Sequence, residues 1–250
     1  MELSKSKLSV LMSLASKKMR NKHKLFLAEG EKCVRDMCEV FELDCVLVSE
    51  NWFRDNEEKC VQFHDKLYRV DERTLKKVSS LTTPSSLIAA FKLPDNKEPR
   101  INSGKLYLLA DGIQDPGNMG TIIRTADWFG INEILASDST VDVYNPKTVQ
   151  AAMGSLRHVN VYYCSLEKII ENHSEMKVYG TVLDGKNIYK EKLTQSGFIV
   201  MGNEGKGITP SVRRLINCPL YIPPYSESTH GESLNVAIAT AITLSRFRFG

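Results

Sequence analysis

Residues 105–130 read KLYLLADGIQDPGNMGTIIRTADWFG, and this stretch decides the fold. Leu106 to Ala110 is apolar without a break, the pattern of a parallel strand covered on both faces rather than of a half-exposed one. The run ends at Asp111. Pro116 and Gly117 make a turn, and a helix is expected from near Asn118, with Ile122, Ile123 and Ala126 packed on the sheet. Strand, turn and helix in that order form one step of a doubly wound α/β domain. Such domains bind ligands beyond the carboxyl ends of their strands.

The same alternation continues towards the C-terminus. Strands are expected at 133–137, 159–163, 177–183, 198–202 and 219–223, with helical stretches between them and a long helix closing the chain. Towards the N-terminus, Leu93 to Gly104 carries two prolines, a glycine and many polar residues, and reads as a linker. It separates two domains, 1–95 and 104–250. In the first, an amphipathic helix from Leu8 to Met19 precedes strands at 25–29, 45–49, 67–70 and 86–91. Helices are expected at 31–41 and 71–80, the latter with Asp71 as its N-cap. A small α/β sandwich fits this order.

Composition narrows the class. Over 250 residues the chain is 42% hydrophobic and 25% charged, as in globular proteins, and its net charge of +3 does not by itself point to nucleic acid. Charge distribution says more. Lys5, Lys7, Lys17, Lys18, Arg20, Lys22 and Lys24 face a lone acid, Glu2, so the segment is either a phosphate-attracting surface or a solvated helix face. The six cysteines form no C-x-x-C pair and have no histidine at zinc-ligand spacing, so no metal is expected. They read as small buried hydrophobes in a reducing compartment. No signal peptide and no membrane-length apolar run is seen, and a cytoplasmic location is expected.

Three clusters carry the chemistry. The first is Asp115–Gly130, with Asn118 and Arg124; an arginine on a helix packed against a sheet either reaches a polar partner or snorkels to solvent. The second is VMGNEGKGIT, residues 200–209, where closely spaced glycines permit close backbone approach around Glu204. It is neither a P-loop nor a dinucleotide fingerprint. The third is Tyr221-Ile-Pro-Pro-Tyr, a polar loop, and Gly231 to Leu244, a helix apolar nearly all round and so destined for a core or an interface. Asn235 in its first turn is expected to be a buried amide in need of partners. Ser233 is expected to cap that helix.

Taken together, the three clusters resemble the SpoU/TrmH family of RNA ribose 2′-O-methyltransferases, in the SPOUT superfamily. The N-x-G-x-x-x-R-x-A pattern falls on Asn118, Gly120, Arg124 and Ala126. G-x-E-x-x-G falls on Gly202, Glu204 and Gly207, and I-P followed by S-L-N-V on Ile222-Pro223 and Ser233–Val236. Two departures stand out: a longer loop at 224–232, and Gln150 where many relatives have arginine. Residues 17–30 similarly resemble the start of an L30e-like substrate-binding domain.

The resemblance implies a C-terminal α/β knot and an S-adenosylmethionine cofactor touching Thr181, Gly202, Ile222 and Leu234. It assigns catalytic roles to Arg124 and Asn118, supported by Glu204 and Asn235. Arg124 would serve as proton acceptor or as a clamp on phosphate. RNA would be bound through Lys17, Lys18, Arg20 and Lys22, and the chain would act as a homodimer. Ribosomal RNA is the preferred substrate by analogy. Transfer RNA, methylation of a base, and a non-catalytic RNA-binding assembly factor are the alternatives.

Overall fold

The computed structural model describes residues 2–95, 98–225 and 233–250. The chain separates into two compact units, Met1–Asp95 with Asp142–Arg157, and Asn96–Val141 with His158–Gly250.

The first unit opens with α1 (Lys5–Ser13) and α2 (Lys17–His23). Sequence periodicity predicts one helix here. Instead Leu14 caps α1 with its side chain fully buried, and Ser16 adopts an extended conformation that starts a new helix. Then follow β1 (Leu25–Glu29), α3 (Glu31–Cys38), β2 (Leu43–Ser49), α4 (Glu50–Asp55) and α5 (Glu57–Cys60). A 3-10 turn leads to β3 (Leu67–Val70), α6 (Glu72–Val78) and β4 (Leu87–Lys92). Asp71 caps α6, accepting from Thr74 N as expected. The sheet runs β1-β4-β2-β3, with β4 antiparallel to both of its neighbours.

Strand alternation sends Leu25 and Leu27 to one face, where they meet Leu11, Leu14, Leu75 and Val78. Phe26 points to the other face, its ring 5.1 Å from Phe41 and 5.7 Å from Phe91. All six cysteines are free thiols. Burial pushes Cys45 up to about 12 and Cys33 up to about 11.

The second unit begins with β5 (Leu106–Asp111), α7 (Pro116–Trp128) and β6 (Glu133–Ala136). Residues 142–157, which lie within the 104–250 domain by sequence, cluster with the first unit. There α8 (Pro146–Ala152) packs against β1, burying Pro146, Thr148, Val149 and Ala152. Tyr144 sets its ring 4.7 Å from Phe26, and burial raises its phenol pKa. Each end of the segment carries an ion pair. Asp142 Oδ2 accepts from Arg20 Nη2 at 2.5 Å, and Arg157 Nη1 donates to Glu39 Oε2 at 2.9 Å. The Phe26 face of the sheet thus finds its cover late in the chain.

Back in the second unit come β7 (Asn160–Tyr163), α9 (Leu166–Glu171), β8 (Val178–Asn187), β9 (Gly197–Gly202), α10 (Pro210–Arg213), β10 (Cys218–Tyr221) and α11 (Val236–Phe249). The six strands are all parallel, in the order β10-β8-β9-β5-β6-β7. Tyr107, Leu109, Phe198 and Val200 pack on Leu166, Ile170 and Val212. α7 packs against α11, and α11 against β9. β5 and β9 lie side by side with Asp111 opposite Gly202. From β5 the order runs outward through β6 and β7 on one side, and to the later strands on the other. This is a topological switch point, where doubly wound sheets hold their ligands.

Candidate active site

The ends of β5 and β9 are tied together before any catalytic side chain is placed. The buried carboxylate of Asp111 accepts from Thr209 N at 2.7 Å. Gly112 N donates to Ser137 Oγ and Thr140 Oγ1, while its carbonyl accepts from Asn203 Nδ2 at 2.7 Å. Asn203 Oδ1 in turn accepts from the backbone N–H groups of Gly205 and Lys206. In the sequence these supports are signalled only by the polar residues that flank the glycine-rich loop, Asn203 and Thr209. A Cβ at Gly202 would lie 2.5 Å from Gly207 C and Ile208 N. The loop therefore folds back on its own strand, and only glycine fits there.

Asp115 caps α7, its Oδ1 accepting from Asn118 N at 2.7 Å, so the helix starts at Pro116 and not at Asn118. Asn118 Nδ2 donates to Glu204 Oε1 at 2.8 Å. Asn235 Nδ2 donates to Asn118 Oδ1 at 2.9 Å. Asn235 Oδ1 accepts from Ala237 N and Ile238 N, which makes Asn235 the N-cap of α11 in place of Ser233. The expectation of a buried amide is also corrected: Asn235 is exposed. One chain of side-chain hydrogen bonds, Asn235 to Asn118 to Glu204, thus joins all three sequence clusters. Both amides have their orientation fixed by this pattern, because each donates at nitrogen and accepts at oxygen.

Arg124 stands exposed on α7, six residues after Asn118, which places it about 120° round the helix from that residue. The helix carries both residues on different sides. Thr181 on β8 donates to Met201 Sδ at 3.6 Å. Gly202 ends β9, Ile222 follows β10, and Leu234 precedes α11 with 49% of its surface exposed. Gly180 pairs with Val200, so Thr181 on β8 lies level with Met201, one residue short of Gly202, while Ile222 follows β10 beyond a register shift. Apolar side chains beside loop backbone suit a ligand with a flat apolar part and several hydrogen-bonding groups. The loop at 226–232 lies outside the described residues.

The basic cluster divides. Lys17, Lys18 and Lys22 are exposed on α2. Arg20 is a correction: it is 1% exposed and its donors are engaged. Its Nη1 donates to the carbonyls of Leu14 and Ala15, and its Nε and Nη2 to Asp142 Oδ2. A guanidinium enclosed in this way cannot also reach a phosphate. Among the described residues no group of histidine, cysteine, aspartate and glutamate could hold a metal ion, and no helix is long and apolar enough to cross a membrane.

A model of the SpoU rRNA Methylase family matches residues 105–245, and one of the MRM3-like substrate binding domain matches residues 5–89. The 23S rRNA (guanosine(2553)-2′-O)-methyltransferase of Bacillus subtilis is 32% identical, covering 94% of this chain and 93% of its own. A TrmH-family structure from Porphyromonas gingivalis superposes with a TM-score of 0.86 and 37% identity over 99% of both chains. An AdoMet-bound rRNA methyltransferase from Sinorhizobium meliloti superposes at 0.83 with 26% identity, over 99% of this chain and 95% of its own.

Proposed function

The chain belongs to the SpoU rRNA Methylase family, and from that premise we propose that it methylates the 2′-hydroxyl of a ribose in structured RNA, ribosomal RNA by preference. S-adenosylmethionine is the donor, held at the carboxyl edge of the sheet by Thr181, the Gly202 loop, Ile222 and Leu234. The observation that carries this reading is the Asn235–Asn118–Glu204 hydrogen-bond chain. It fixes an amide at the start of α7 against both loops that would flank the donor, where it can orient an incoming ribose.

The donor supplies a methyl group on a sulfonium. Transfer of that methyl group to the ribose oxygen would leave the electron pair of the C–S bond with the donor's sulfur and release the hydroxyl proton to solvent. Arg124 acts electrostatically in this scheme. A guanidinium spreads a positive charge over a planar fork of five donors, so it stabilises a developing alkoxide and holds a neighbouring phosphate. The N-terminal unit would bring in the RNA, and Lys17, Lys18 and Lys22 supply positive charge for its backbone. Knotted threading of the C-terminal chain, action as a homodimer and a cytoplasmic location belong to the same reading.

The test is a single-atom deletion in the substrate. Once the methylated nucleotide is mapped, its 2′-deoxy form removes the nucleophile and leaves every base edge in place. Methyl transfer should vanish while RNA binding weakens only by about one hydrogen bond, ~1 kcal/mol. Label appearing on the deoxy nucleotide would show a base as acceptor and refute the reaction.

A further inference from the structure

α2 is seven residues long, too short to be stable by itself in water, so its orientation depends on what its inner face grips. Its one buried side chain is not apolar. It is Arg20. The guanidinium donates twice to Asp142 Oδ2, at 3.0 and 2.5 Å, and twice to the carbonyls that end α1. Lys18 and Lys22 are four residues apart and project about 160° away from Arg20 round the helix. Asp142 opens the segment that carries α8, whose exposed residues include Lys147 and Gln150. The segment is held at its far end as well, where Arg157 meets Glu39 and Asp36.

We propose that Arg20 is a positioning residue for RNA: through Asp142 it locks α2 to the 142–157 segment, holding Lys18 and Lys22 in a fixed geometry for the RNA backbone. Arg20 thus serves RNA binding without touching RNA. The inference rests on the RNA-methylating reading above. It differs from a purely structural ion pair in one respect, because its effect passes through the two lysines and disappears when they do.

The experiment uses the full chain and the RNA that the wild-type protein methylates. Asp142→Asn keeps an acceptor but removes the charge, and Arg20→Lys keeps the charge but loses the fork that engages aspartate and carbonyls together. Both are milder than truncation and are assayed well below their melting temperatures. Each should raise KM for RNA about tenfold, with kcat and donor affinity within about twofold of wild type. The slope of log KM against log salt should flatten, as lost phosphate contacts require. In a Lys18→Gln/Lys22→Gln background, Asp142→Asn should add almost nothing further to KM.

An unchanged KM, or a KM increase that simply adds to that of the lysine double variant, overturns the proposal. So does a fall in kcat at saturating RNA with KM unaltered. Failure of the wild-type protein to methylate RNA would instead strike the reading beneath it, so the two failures are distinguishable.

Discussion

One amide joins three loops at this site, and the consequences of changing it differ by substitution. Asn118→Ala removes the bonds to Glu204 and Asn235. Both lie at a partly exposed position, so stability should fall by only about 1 kcal/mol, while kcat falls about a hundredfold through lost orientation. Asn118→Asp is sharper. It sets a second carboxylate against Glu204, so repulsion replaces a hydrogen bond. Its kcat should fall below that of Asn118→Ala, and adding Glu204→Gln, which restores a donor to the pair, should recover most of that difference; no recovery would show that the Glu204 contact is irrelevant. The two glycines of the loop make a second contrast. At Gly202 a Cβ collides with loop backbone, which cannot yield, so Gly202→Ala should disrupt the loop and abolish donor binding in calorimetry. At Gly207 φ is +69° with open space around a Cβ, so Gly207→Ala should cost only about 1–2 kcal/mol in conformational energy and keep donor affinity. Motif spacing made Asn118, Glu204 and Asn235 legible as a group. It could not show that Asn235 caps α11, since Ser233 is as good a cap by residue type and the choice depends on where the backbone turns.

At the scale of elements, the strands were readable because continuous apolar runs have few alternatives in a covered sheet. Expected and observed ranges for β3 coincide at residues 67–70. Segment 142–157 was not readable. Its sequence neighbours are β6 and β7, whereas its partner is the Phe26 face of a sheet formed over a hundred residues earlier. Charge counting misled at Arg20 for a related reason: its partner, Asp142, is distant in sequence and nothing local announces it. This packing changes what can be cut from the protein. A fragment of residues 98–250 would strip Tyr144, Pro146 and Val149 of their cover and expose them to water, so it is not a clean catalytic domain. The intact chain offers the better measurement. Phe26→Ala should cost about 3–5 kcal/mol, and hydrogen exchange should show residues 146–152 losing protection while residues 106–111 of β5 keep theirs. Uniform loss across both would mean that the segment is not anchored through Phe26.

At the scale of the whole molecule, α11 is the feature that a lone chain leaves unexplained. One side, with Val236, Ala237, Thr240, Thr243, Leu244 and Phe247, is buried. Along another run Ile238, Ala241, Ile242, Ser245 and Phe249, spaced as successive helical turns require of one face. Ile238 is 52% exposed and Phe249 82% exposed. An apolar stripe of that length facing water is a common mark of an association surface, and a two-fold partner would cover it with the same stripe. Ile238→Glu tests this without disturbing the fold, because a half-exposed position can turn a carboxylate to solvent. A two-fold contact places the new charge near its own copy across the axis, and like charges there are costly. Sedimentation should show the wild-type protein as a dimer at micromolar concentration and Ile238→Glu as a monomer of unchanged melting cooperativity. If each site is completed by both copies, methyl transfer should fall with dimer content as the protein is diluted. A wild-type monomer, or an Ile238→Glu variant that still sediments as a dimer, would place the association surface elsewhere.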